Sequence, residues 1–123
     1  MTSPVIRALR GATTCDVDTV EEITRVTHEL LAQMMSRNEI DHDDVVSVIF
    51  TATPDLTAAF PATAARGIGF GDIPLICASE IDVRGAMAHC IRVMMHVHST
   101  RAPAEMHHVY LRGAQSLRDD LPG

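Results

Sequence analysis

Apolar and other residues alternate along the run Cys90-Ile91-Arg92-Val93-Met94-Met95, which continues through His96, Val97 and His98. Ile91, Val93, Met95 and Val97 fall on one side, and Arg92, Met94, His96 and His98 on the other. This period of two predicts a strand over residues 90–98 with one buried face. Arg92 lies inside an apolar run, so its guanidinium needs an anionic partner. Either an internal Asp or Glu or an anionic ligand would serve on the pattern alone, and the rest of the chain decides for a ligand.

The same reading places the other elements. Residues 4–11 alternate as a first strand, with Val5, Leu9 and Gly11 against Ile6, Ala8 and Arg10, so Arg7 and Arg10 point to opposite faces. Asp18 or Thr19 caps a helix running to about Arg37. Thr19 and Glu22 have the spacing of a capping box. Val20, Ile23, Val26, Leu30, Leu31 and Met34 form its apolar stripe. Val45–Ala52 is β-branched without a helical stripe and predicts a well-buried second strand. Residues 56–67 predict a short helix with Pro61 in its first turn, ending at Gly67–Gly71. Pro74–Ala78 predicts a third strand leading to Glu80 and Asp82, and Val109–Leu117 a last strand with His108, Tyr110 and Arg112 on one face. Asp119–Gly123 reads as a tail. The most economical packing is one sheet with helices on one face, an α/β layer fold. Its other face or its edges are left for neighbours to cover.

At 123 residues the chain is expected to form one domain, 1–123, with one core. With aromatics at only 3%, that core rests on aliphatic and Met side chains, a composition that favours gaining burial by oligomerisation. The net charge of -6 argues against non-specific nucleic-acid binding but not against a small anion held by local arginines. All ten basic residues are Arg, which removes Schiff-base and P-loop lysine chemistry and leaves forks suited to carboxylates or phosphates. Cys15, Cys77 and Cys90 form no C-x-x-C pair, and free thiols in a reducing cytosol are the simplest reading. With no apolar leader and no span, a soluble cytoplasmic protein without membrane partners is expected.

Candidate chemistry narrows from there. His96 and His98 share a strand face and His107 and His108 are adjacent, but no ligand spacing supports zinc, so no metal is expected. The acidic turn 38–44 lacks the glycine and spacing of a calcium loop. Gly67, Gly69 and Gly71 follow a helix rather than opening one, so a dinucleotide loop fits poorly. Nothing local marks Cys77 or Cys90 as a nucleophile. The more unusual set is Arg10, Arg66, Arg92 and Arg118 with Glu80 and Tyr110, mostly on strand faces or ends. Such a set suits a reaction that needs only positioning of an anion and stabilisation of developing charge.

Six blocks carry a resemblance. They are Arg10-Gly11-Ala12-Thr13-Thr14, Ala52-Thr53-Pro54-Asp55-Leu56, Phe60-Pro61-Ala62, Glu80-Ile81-Asp82-Val83, Cys90-Ile91-Arg92-Val93-Met94-Met95 and His108-Val109-Tyr110-Leu111. In this order, over roughly residues 6–121, they resemble the AroH-class, single-function chorismate mutases. The resemblance implies cofactor-free conversion of chorismate to prephenate by a pericyclic rearrangement in aromatic amino acid biosynthesis. It also implies a mixed sheet with helices on one side, in a homotrimer around a barrel-like centre with sites between subunits. On the family pattern Arg92 meets the breaking ether oxygen and a carboxylate. Arg10 and Tyr110 hold the side-chain carboxylate, and Glu80 accepts from the ring hydroxyl, which Cys77 also contacts. Phe60 forms an apolar wall, and Arg66, Leu117 and Arg118 close the rim. Phe60 and Arg66 would come from one chain, and Arg10, Glu80, Arg92 and Tyr110 from its neighbour. Three departures stand out: Thr63 where relatives carry lysine, Ile76 where they carry threonine, and a short tail. The alternative is a non-catalytic trimeric binder of a small carboxylate. A glutamate beside the arginines disfavours it, because that carboxylate would repel the ligand.

Overall fold

A computed structural model describes residues 3–118, with Arg118 by its backbone alone. The predicted tail, 119–123, lies outside the described residues. The elements are β1 (Val5–Thr14), α1 (Val20–Arg37), β2 (Val45–Ala52), α2 (Pro61–Ala65), β3 (Leu75–Ser79), β4 (Cys90–Ser99) and β5 (Val109–Tyr110). They build one five-stranded mixed sheet in the order β3-β2-β4-β1-β5. β4 is central and antiparallel to both β1 and β2, while β3 and β5 add as parallel edges.

The alternation predicted for β4 is what places it there. Ile91, Val93, Met95 and Val97 are each at most 3% exposed and lie in the core. Leu9, Val48 and Phe50 join them from β1 and β2, beneath Leu30, Leu31 and Met34 of α1 and Ala62 and Ala65 of α2. Both helices therefore cover the same side of the sheet. Gly11 is required where α1 crosses β1, because a Cβ there would stand 2.5 Å from Met34 Sδ. Across the sheet, Ile6, Ile49 and Ile76 are exposed.

Thr19 is the α1 N-cap, its hydroxyl accepting the Glu22 N–H. The box is only half made, since the Glu22 carboxylate accepts from the Asp16 N–H and from Arg25 instead. Asp18 does not cap the helix. Its carboxylate takes the Thr57 and Ala58 N–H groups and the Thr57 hydroxyl, tying the loop before α2 to the start of α1. Those bonds, the Thr57 hydroxyl first, hold its pKa below the usual value.

Other expectations need correction. β1 and β4 pair over ten residues from Val5↔Ser99 to Thr14↔Cys90, so β1 runs three residues beyond its predicted end. β2 is not buried on both faces, since Ile49 is 38% exposed between buried Val48 and Phe50. The second helix opens at Pro61, as expected, but its α-helical part ends at Ala65 and continues as a π-helical turn, Arg66–Phe70, in which Gly69 has φ +102°. The last strand stops at Tyr110, because Arg112 adopts φ +53° and starts a 3-10 run, Arg112–Arg118. Arg112 therefore does not share a strand face with Tyr110, and its guanidinium forks onto both Glu29 oxygens at 3.2 and 3.1 Å.

Buried Asn38 ends α1 and binds the chain leading into β5. Its amide donates to the Met34 and His107 carbonyls, both at 2.9 Å, and its oxygen accepts the His107 N–H at 2.7 Å. Asn38→Ala would leave three buried or half-buried partners unmet and should destabilise the protein by about 2–4 kcal/mol, read from urea unfolding.

Candidate active site

The uncovered sheet face carries the charged residues. Arg92 on β4 stands across the ladders from Ala12 on β1 and Thr51 on β2. Ala12 in turn pairs with Tyr110 on β5. That register brings Arg10, Thr51, Arg92 and Tyr110 around one cavity of about 220 Å³, floored by Ile49 and Met94. Glu80 follows the end of β3 and is fixed by its own N–H to the Ala52 carbonyl at 2.9 Å. Its carboxylate reaches Arg92 Nε at 3.0 Å and accepts from the Thr51 hydroxyl at 2.6 Å.

The anionic partner required of Arg92 is thus an internal glutamate. The Arg92 side chain nevertheless remains 47% exposed, against 18% for Glu80. An ion pair that open contributes little to stability. Glu80 meets the fork at Nε, and nearly half of the Arg92 side chain stays open to a further partner.

The Ala52–Leu56 block holds this centre in place. The Thr53 hydroxyl accepts the Cys90 N–H at 2.9 Å and the Thr53 N–H donates to the Cys90 carbonyl at 3.0 Å. Asp55 accepts the His89 N–H with both oxygens. The chain therefore enters β4 with its phase fixed two residues before Arg92. Behind Arg92, fully buried Cys90 shares its strand face. Burial pushes that thiol's pKa up, with Arg92 pulling it down and Glu80 opposing.

The remaining candidates gather elsewhere. Phe60, Arg66 and Cys77 line a separate cavity of about 360 Å³ with Leu75 and Ile76, sharing no residue with the arginine cavity. Phe60 is 69% exposed. A third cavity of about 480 Å³ lies between the 53–61 loop and the ends of β2 and β3. It is larger, but no charged side chain lines it, so it lacks a means of gripping an anion. Leu117 sits half-buried in the 3-10 run and lines neither of the first two cavities. The Arg118 side chain lies outside the description. Among the described residues no three His, Cys, Asp or Glu side chains form a metal-binding group, and no helix is long and apolar enough to cross a membrane.

Sequence reasoning missed Thr51. It sits in an apolar run, and only strand register shows that it neighbours Arg92 and Glu80.

Fold and site together define a small α+β protein that presents an arginine-lined cleft, with one paired carboxylate, on the open face of its sheet. A family model described as chorismate mutase type I matches residues 6–121. The chain is 44% identical over 118 residues to chorismate mutase AroH of Bacillus subtilis strain 168, covering 95% of this chain and 93% of that protein. It is equally identical, over 118 residues, to chorismate mutase AroH of Thermus thermophilus, covering 95% and 97% respectively. Its fold matches a chorismate mutase structure from Clostridium thermocellum with a TM-score of 0.88 at 48% identity, covering 89% of this chain and 98% of that one. The chain belongs to the chorismate mutase type I family.

All three cysteines are free. Cys15 and Cys90 are buried, and burial, then Glu22, raises the Cys15 pKa from 9.0 to about 11. At neutral pH such a thiol holds about a hundredfold less thiolate than an ordinary one. A disulfide reagent at pH 7.5 should therefore titrate Cys77 first in the native protein, with Cys15 and Cys90 following only on unfolding. Cys77→Ser should remove the fast phase.

Proposed function

We propose that this protein converts chorismate to prephenate, as a homotrimer with active sites formed between subunits. The observation that carries this reading is the convergence of Arg10, Arg92 and Tyr110 on one cavity with Glu80 bound to Arg92. Chorismate carries two carboxylates and a ring hydroxyl. Its rearrangement breaks an ether bond while a carbon–carbon bond forms, so negative charge builds on the ether oxygen and the ring becomes electron-poor. No proton has to move.

Arg92 directs its terminal N–H groups at the ether oxygen and a carboxylate. Because the oxygen gains charge mainly in the transition state, this donor raises turnover more than affinity. Arg10 and Tyr110 hold the side-chain carboxylate. Glu80 accepts from the ring hydroxyl and faces the electron-poor ring, while its contact with Arg92 offsets its repulsion of the dianion. Cys77 contacts the same hydroxyl, Phe60 supplies the apolar wall, and Arg66, Leu117 and Arg118 close the rim.

Assembly is supported by the division of these residues. Arg10, Arg92 and Tyr110 line one cavity, while Phe60, Arg66 and Cys77 line another. A second copy that brings its Phe60 side to the arginine cleft of the first would complete the site and cover the open sheet face. Cys77, grouped with Phe60 and Arg66, would then come from the same subunit as they do. A pure carboxylate binder accounts less well for Glu80.

The test is loss of chorismate absorbance with purified protein in the presence of chelator. Acceleration over the spontaneous reaction is expected, and none from folded protein would overturn the reading. Arg92→Ala should lower kcat by about a thousandfold or more, with the sedimented mass still at three times the 13.4 kDa chain. Arg92→Lys should recover little, because a point charge does not reproduce the two-pronged contact. The kcat profile should be flat from about pH 6 to 8, since no group gives or takes a proton. A limb in the histidine range would contradict this mechanism.

A further inference from the structure

Thr51 has no role in the reading above, although it lines the arginine cavity and touches Glu80. It faces Arg92 across the β2/β4 ladder. Its hydroxyl has one proton, donated to Glu80 Oε2 at 2.6 Å. The same oxygen is paired in charge with Arg92, 3.0 Å from its Nε. Among the described residues nothing else bonds to the Glu80 carboxylate. One oxygen is thus held twice, and Oε1 remains as an acceptor for a ligand.

We infer that Thr51 is a positioning residue that fixes Glu80 in a one-pronged contact with Arg92. Arginine and carboxylate favour a two-pronged fork, with two parallel N–H···O bonds. In that arrangement Glu80 would occupy a terminal nitrogen of Arg92 as well as Nε, and both carboxylate oxygens would be spent on the guanidinium. The ligand would lose a donor on the arginine and an acceptor on the glutamate together. Thr51 opposes this by pulling Oε2 toward β2. The backbone bond from the Glu80 N–H to Ala52 holds the other end of the residue, so the freedom left is that of the side chain's own torsions. A threonine suits the place because β-branching fits a strand and restricts its χ1.

This inference rests on the chorismate reading and deepens it. Turnover of the wild-type protein is measured first, and its absence would overturn both. With turnover established, Thr51→Val removes the hydroxyl at nearly constant shape. It should lower kcat by about ten- to a hundredfold, the loss of one hydrogen bond to a charged group, with KM within about threefold. Thr51→Ser keeps the hydroxyl and should stay within about threefold of wild type. A packing role predicts the reverse order, since Val preserves the branched shape and Ser does not. In a Glu80→Ala background, Thr51→Val should cost less than about twofold more, because the hydroxyl acts through Glu80. Equal kcat for Thr51→Val and wild type, Ser worse than Val, or full additivity with Glu80→Ala would each overturn the assignment.

Discussion

The contact between Arg92 and Glu80 is the interaction on which the site depends. It joins the central strand to the residue just past an edge strand, and two features of the fold make it possible. Strand β4 puts Arg92 on the open face because its neighbours Ile91 and Val93 are committed to the core. Glu80 arrives because its N–H extends the β2/β3 ladder by one bond, to the Ala52 carbonyl. A shift of β4 by one residue would bury the guanidinium under α1 and expose the aliphatic face. Core burial thus enforces the placement of the charge, although the ion pair itself is too exposed to stabilise the fold much.

The polar bonds around the 52–56 block serve the same end. Thr53 grips Cys90 by main chain and side chain, and Asp55 holds the His89 N–H. These contacts satisfy groups at the mouth of the sheet, where the ladder would otherwise fray. On the other side, Asp18 holds Thr57 and Ala58, so the loop leading to exposed Phe60 is anchored at both ends. A rigid loop that offers an exposed aromatic side chain is costly for an isolated chain. It is reasonable where that ring meets another molecule.

The separation of the two residue groups has a simple geometric cause. Arg10, Arg92 and Tyr110 belong to β1, β4 and β5, the middle and one edge of the sheet. Phe60, Arg66 and Cys77 belong to α2, the turn after it and β3, at the opposite edge. Cys77 pairs with core residue Phe50, so its side chain faces the helices while Arg92 faces away. One chain therefore does not fold the two groups into one pocket.

Much was legible along the chain itself. The period of two in β4, the stripe of α1 with its Thr19 cap, and the proline that opens α2 are local signals read by local sterics and by burial of one face. The blocks around Arg10, Glu80, Arg92 and Tyr110 were legible too, because their residue types and spacing are unusual together. Tertiary structure alone decided the rest. Strand register placed Thr51 beside Arg92, though the two are far apart in sequence. Asp18 took a loop instead of capping its helix, because Thr19 already held the cap and loop N–H groups needed an acceptor. The last strand ended at Tyr110, because Arg112 found Glu29 on α1 and turned the chain away. Local pattern determines which face of an element is buried, whereas the partner across a ladder is set only when the whole core closes.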